Sequence, residues 1–279
     1  MESPSSELKR KAESEPEAAA APASPAAAPA AADADAPPDA PAEAAAAAAG
    51  PAVDAPWRGV TPRRVDRLPG GALLVCSQGS VVDFQGGAIV NAANCGCLGG
   101  GGVDGAISSA GGAALADARR ALPVLRRGVR CQTGDAVATC AGGALRCDHV
   151  IHAVGPDYYD YDTDAEADAL LASAYNASMA HAQRLGARTL AFSLLSAAIY
   201  RAHRPLAVVL RIAVDALRAA AYDGLEEVHL VGFTPAEVRT LLEAARDAAQ
   251  EAEQAAPQAA ALDDAPAAEA EAAAEAAAA

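Results

Sequence analysis

A run of four glycines, Gly99–Gly102, constrains this chain more than any other segment. It follows the apolar stretch Ala88-Ile-Val-Asn-Ala-Ala-Asn94 and the linker Cys95-Gly-Cys-Leu98, and it leads directly into Val103-Asp-Gly-Ala-Ile107. The pattern reads as a buried strand ending in two asparagines, then a loop, then a helix opening near Val103. Without Cβ atoms, backbone N–H groups of the loop can close on a bulky anion. The helix start adds oriented N–H groups and the positive end of its dipole, which favours a phosphate or pyrophosphate there. Ordering glycine costs up to about 1 kcal/mol per residue relative to alanine. A plain surface loop has little reason to carry four such costs, so the segment points to ligand binding. Gly100-x-Gly102-x-x-Gly105 also fits the dinucleotide fingerprint, but Asn94 to Leu98 separate it from the strand. The region near residue 125 reads Leu-Pro-Val-Leu-Arg-Arg, where that fingerprint needs an acid, so the Rossmann reading is rejected.

The charge is distributed unevenly. The 279-residue chain is net −15, yet residues 1–56 and 245–279 each carry −7, which leaves residues 57–244 at −1. A near-neutral core argues against general nucleic-acid binding, which needs a basic excess. Residues 1–56 are dominated by Ala, Pro, Asp and Glu and lack the bulky apolar side chains that offset the entropy of ordering, so they are expected to be disordered. Residues 251–279 form an Ala/Glu-rich tail, read as a frayed helix or disordered. Between them, residues 57–250 are long enough for one domain with a sizeable core. No apolar run is long enough for a membrane span, and Lys9-Arg10-Lys11 after Leu8 does not fit a signal peptide. The six cysteines show no CxxC spacing and read as reduced thiols. An intracellular location, cytoplasmic or nuclear, is therefore expected, with no membrane partner.

Short apolar runs alternate with helical patterns, which predicts an α/β sandwich. Strands are expected at Ala72–Cys76, Ala88–Ala92, Ala136–Thr139, His149–Val154, Thr189–Leu194 and Glu227–Val231. Helices are expected over Ala165–Leu185, behind a Thr163/Glu166 capping box, and over Leu206–Ala221. A third follows the Thr234-Pro-Ala-Glu237 capping box and runs to about Ala249. Further helical turns are expected from Val103 and over Ala113–Leu122.

Asn91-Ala-Ala-Asn94 with Gly99–Ile107 resembles the signature of the macro domain family, in the branch of ADP-ribosyl hydrolases and O-acetyl-ADP-ribose deacetylases. Cys131-Gln-Thr-Gly-Asp-Ala136, His149-Val-Ile-His-Ala-Val-Gly-Pro156 and Thr189–Ser196 with Ile199-Tyr200 match further family blocks in order, over about residues 72–245. The resemblance implies a three-layer α/β/α fold with a central mixed sheet, an ADP-ribose ligand and no metal or other cofactor. It assigns Asn94 and Asp104 to the distal ribose as catalytic residues. It places Ser80, Val81, Asn91, Gly100, Gly101, Gly102 and Val103 among the ligand contacts. It makes Ser196, Ala197, Ala198, Ile199 and Tyr200 the opposing loop, and Phe233, just after the last strand, a candidate for adenine stacking, with a core or hydrophobic-staple role as the open alternative. His152, inside a strand, is expected to be structural.

Three positions depart from the family pattern. Ser80 stands where an adenine-binding aspartate is common, Ser108 where the hydrolase branch often has histidine, and Ala198 where the second loop has glycine. If position 198 needed a positive φ, alanine would cost on the order of 1 kcal/mol. Three functions follow. The favoured one is hydrolysis of ADP-ribose esters, on ADP-ribosylated protein or on O-acetyl-ADP-ribose. The alternatives are a non-catalytic ADP-ribose reader and a degenerate scaffold.

Overall fold

The computed structural model describes residues 58–263, with side chains to residue 255. The expected disordered segment 1–56, and residues 264–279 of the C-terminal tail, lie outside the described residues. The strands are β1 (Thr61–Arg67), β2 (Leu73–Gln78), β3 (Gln85–Ala92), β4 (Ala136–Cys140), β5 (Arg146–Ala153), β6 (Thr189–Ser193) and β7 (Glu227–Gly232). The helices are α1 (Gly102–Ala121), α2 (Asp164–Arg184), α3 (Leu206–Ala219) and α4 (Pro235–Asp263). All six expected strands are present within one to three residues of their expected ends. The helix expected to stop near Ala249 continues to Asp263.

The strands form one mixed sheet in the order β1-β2-β7-β6-β3-β5-β4. The five central strands are parallel, and β1 and β4 pair antiparallel at the two edges. Strand β1 was not anticipated. Its sequence, Thr-Pro-Arg-Arg-Val-Asp-Arg, has no apolar run, and its half-exposed edge position asks for none. Pro62 is tolerated there because an edge strand leaves one row of N–H groups unpaired.

Residues of the central strands alternate between two cores. Ala88, Val90, Ile151, Leu190, Phe192, Val228 and Leu230 pack under α2, α3 and α4, against Leu171, Tyr175, Leu210, Leu217 and Leu241. Ile89, Val150, Ala191 and Val231 face the other way, against Ile107 and Leu115 of α1 and the buried Phe84. This period-two alternation across a doubly covered sheet makes the fold a three-layer α/β/α sandwich. Burying each large apolar side chain contributes about 1.5–3 kcal/mol, so the two cores supply most of the driving force.

Helix ends follow the capping signals. The Thr163 hydroxyl accepts from the Glu166 amide at 3.4 Å, and Gly186, at φ 67°, closes the far end of α2. At α4, Glu237 Oε2 accepts from the Thr234 and Phe233 amides, while the Thr234 hydroxyl accepts from the Glu237 amide. Helix α1 merges the two expected helical turns, with a break at Gly112, whose φ of 58° only glycine adopts readily.

One buried contact ties α2 to the loop after β6. The Tyr175 hydroxyl, wholly enclosed, accepts from the Leu195 amide at 3.0 Å. Tyr175→Phe strands that amide without a partner and is expected to lower unfolding free energy by about 1–3 kcal/mol in urea denaturation. No loss of stability would mean that the amide finds another acceptor.

Candidate functional site

A cavity of about 470 Å3 opens where β2, β6 and β7 end. Gly79, Ser80 and Val81 wall it after β2, Ser193 and Leu194 at the end of β6, and Val231 and Phe233 at the end of β7. Gly102, Val103 and Ala106 from the start of α1 face it, and Ala197, Ala198 and Glu237 complete the lining. Carboxyl ends of parallel strands are where open α/β sheets usually bind ligands, and the volume falls in the range of small-molecule sites.

The opening turn of α1 gives this cavity its polarity. Gly101 is the N-cap, in an extended conformation and with no side chain to cap the helix. The first intrahelical bond runs from the Gly105 amide to the Gly101 carbonyl at 3.3 Å, so the amides of residues 102–104 precede it. Such amides, with the helix dipole behind them, attract an anion. Gly102 has φ +59° and needs glycine for its conformation. Gly101 does not: its φ is −88°, and an added Cβ would meet nothing within 4 Å. Neither φ nor packing demands glycine at 101, and its bare surface leaves room for close approach to the first-turn amides.

The opposing loop departs from expectation at one position. Ala198 has φ −109°, so no left-handed strain falls on the alanine. The left-handed residue is Ser196, at φ 51°, held inward by its hydroxyl, which donates to the Pro156 carbonyl at 2.7 Å. Ser196 therefore braces the loop from behind, while Ala197 and Ala198 face the cavity. Ile199 is 84% exposed, and Ile199–Arg201 form a short 3-10 turn beyond Ala198. Half-buried Tyr200 is in that turn, and burial followed by the nearby Asp157 pushes its phenol up, keeping it neutral.

At the far end Phe233 is 73% exposed on the cavity wall, so the capping box beside it leaves the ring unpacked and free. The Ser80 hydroxyl accepts from the Val82 amide at 3.3 Å, capping a 3-10 turn, and its second lone pair remains.

A buried polar chain lies beneath the glycine loop. Asp104 is 3% exposed and Arg119 1%, and Arg119 Nη2 approaches Asp104 Oδ1 to 2.8 Å. That approach is not aligned as an N–H···O bond, so opposite charge is its main content. Arg119 Nη1 donates to the Ser108 hydroxyl at 2.8 Å, and that hydroxyl donates to the Asp104 carbonyl at 2.7 Å. Asn91 Nδ2 donates to Asp104 Oδ1 at 2.9 Å and lies 3.2 Å from His152 Nδ1. The charged carboxylate orients the amide with its NH2 inward, so His152 Nδ1 accepts and Nε2 carries the proton toward Thr139 Oγ1, 3.0 Å away. Burial first, then Arg119, lowers the His152 pKa to about 3, so the ring is neutral at physiological pH and structural.

Asn91, expected among the ligand contacts, is fully buried and spends its amide on Asp104 and His152. Its amide holds the Asp104 carboxylate in place. Asn94 shapes the turn: Nδ2 donates to the Gly99 carbonyl at 3.1 Å and Oδ1 accepts from the Gly96 amide at 3.0 Å. Even so, Asn94 and Asp104 converge. A Cβ added at Gly100 would sit 3.2 Å from Asp104 Oδ2 and 3.3 Å from Asn94 Nδ2. Among the described residues Asp104 Oδ2 is buried without a hydrogen-bond partner, an acceptor left for something else.

Comparison with known proteins agrees with this geometry. Residues 90–213 match the family model described as Macro domain. A macro domain-containing protein of Cupriavidus necator is 42% identical over 173 residues, covering 62% of this chain and 97% of that protein. The chain belongs to the macro domain family. Another relative, O-acetyl-ADP-ribose deacetylase 1 of Pantoea vagans, is 40% identical over 158 residues, covering 56% of this chain and 88% of that protein. Among solved structures, the Oceanobacillus iheyensis macrodomain with ADP aligns with TM-score 0.60 at 26% identity, covering 67% of this chain and 96% of that one. The Trypanosoma brucei macrodomain in complex with ADP-ribose aligns with TM-score 0.51 at 31% identity, covering 60% and 67%.

Within this macro domain, Arg119 is the buried partner of Asp104 that the sequence concealed. In the chain it reads as a base in the last turn of a helix, an ordinary surface position. Glu237, Ala106, Ser193 and Leu194 were also unforeseen, since only the packed sheet brings them to one cavity. Removing one partner of a buried ion pair costs about 3–5 kcal/mol because the other charge is left uncompensated. Arg119→Met is expected to lose stability of that order in chemical denaturation. A loss below about 1 kcal/mol, the value of an exposed pair, would show that the pair is solvated.

Proposed function

We propose that this macro domain binds ADP-ribose and hydrolyses ADP-ribose esters. The observation that carries the reading is the uncapped first turn of α1, open to the cavity, with the unpartnered Asp104 Oδ2 just beyond it. In this reading adenine lies against Phe233 and Val81, with Ser80 and the free oxygen of Glu237 as acceptors for its amino group. The pyrophosphate takes the amides from Gly100 to Val103, with Ala197 and Ala198 closing over it and Tyr200 toward the ribose. The distal ribose continues past Gly100 to Asn94 and Asp104.

The chemistry rests on position more than on strong acid or base catalysis. Asp104 Oδ2 accepts a hydrogen bond from a water and aims it at the ester. The water adds, the bond to ADP-ribose breaks, and a carboxylic acid and ADP-ribose leave. Arg119 keeps the carboxylate's other oxygen occupied, and Asn91 fixes its rotation. The ligands named for the Oceanobacillus and Trypanosoma structures, and the activity named for the Pantoea relative, support the same reading.

A second reading has its own observation. Asp104 is nearly inaccessible and already paired, which suits a module that holds ADP-ribose without turning it over. Calorimetric titration with ADP-ribose and a release assay on an ADP-ribosylated protein separate the two. Phe233→Ala is expected to weaken ADP-ribose binding by roughly 5- to 150-fold, the value of about 1–3 kcal/mol for one stacked base, with unchanged melting temperature. Equal affinity would remove adenine from that end. Asp104→Asn is expected to retain binding and lose on the order of 100-fold in release rate. Binding by the wild type with no release at all would establish the reader instead, and no binding at millimolar ligand would leave a scaffold.

A further inference from the structure

From Ala118 to Gly134 the chain contains five arginines and no acid. Arg119 is buried against Asp104, and Arg120 pairs with Asp117. The other three, Arg126, Arg127 and Arg130, are gathered in one small hairpin. Its turn is closed by the Val129 amide on the Arg126 carbonyl at 2.9 Å and the Leu125 amide on the Val129 carbonyl at 3.0 Å. The side chains of Arg126 and Arg127 are exposed, and among the described residues neither makes an ion pair or a hydrogen bond. Val124 and Leu125 stand 58% and 57% exposed beside them.

The hairpin is attached to the loop that carries Asn94. The amides of Arg130 and Cys131 donate to the Cys95 carbonyl at 2.8 and 3.2 Å, and Arg130 Nη1 donates to the Gly96 carbonyl at 3.4 Å. In the same loop Leu98 is 53% exposed. Given the binding reading above, on which this inference rests, the distal ribose points out of the cavity toward this side. Whatever is esterified to that ribose emerges beside the arginines.

We propose that the Val124–Arg130 hairpin is an exosite for an acid-rich peptide, the protein portion of an ADP-ribosylated substrate. Two exposed cations, Arg126 and Arg127, with half-buried Arg130 at the base of the hairpin and Val124 and Leu125 beside them, fit acidic residues among apolar ones. A long phosphate polymer fits poorly, because residues 57–244 as a whole carry −1 and offer no extended basic track.

The test compares free ADP-ribose with a non-hydrolysable conjugate of ADP-ribose and an acid-rich peptide, on wild type and on the Arg126→Glu/Arg127→Glu variant. Wild type is expected to bind the conjugate about tenfold more tightly than ADP-ribose, an excess that shrinks with added salt. The variant is expected to keep its ADP-ribose affinity and lose the excess. An excess that survives in the variant, or an equal loss for both ligands, overturns the exosite. Competition by single-stranded RNA but not by the bare peptide overturns it in favour of a nucleic-acid surface. Should wild type fail to bind ADP-ribose, the binding reading is what fails. Weak binding of the bare peptide, abolished in the variant, would then still support the hairpin.

Discussion

Everything at the candidate site is arranged around the buried contact between Arg119 and Asp104. Two charges taken out of water lose several kcal/mol of hydration each, which their attraction repays only if they stay together. The pair therefore pins the end of α1 to its beginning, 15 residues earlier, and Ser108 fills the space between them. It also fixes which oxygen of Asp104 is spent and which faces the glycine loop. Asn91 continues the constraint into the sheet, and His152, kept neutral by burial and by Arg119, ends it at Thr139.

Above this base the site is made mostly of backbone. Amides of the first turn of α1 supply the anion-attracting surface, and two alanines face them across the cavity. Few charged side chains line it, Glu237 among them at the Phe233 end. A site built from amides and small residues needs rigid support more than reactive groups. The sheet supplies it through the aligned ends of β2, β6 and β7, and Tyr175 supplies it by holding the Leu195 amide. Buried Ser196 does the same for the second loop by reaching Pro156.

Much of the fold was legible in the chain because its signals are local. The short apolar runs of the central strands, the Thr163 and Thr234 capping boxes and the tetraglycine run each act within a few residues. The six strands they predicted, the five parallel ones and the antiparallel β4, are present. Strand β1 was missed because its pairing lies in the backbone, and its side chains carry no apolar pattern. The end of α4 was missed because alanine and glutamate continue a helix past Ala249, and Pro257, which in the chain reads as a stop, does not end it.

What the sequence determined by itself was the layer order, the position of the helix mouth and the identity of the residues near it. What only tertiary structure decided was how those residues are used. Asn91 and Asn94 are both asparagines at one strand end, yet one is sealed within the sheet on central strand β3 and the other shapes a turn. Ala198 stands where a glycine was expected, and the left-handed turn was absorbed two residues earlier, at Ser196. Arg119 has the sequence context of a solvated base and is instead among the most enclosed side chains in the molecule. The difference is physical: propensity and periodicity act along the chain, whereas burial and charge compensation depend on partners that only folding brings within 3 Å.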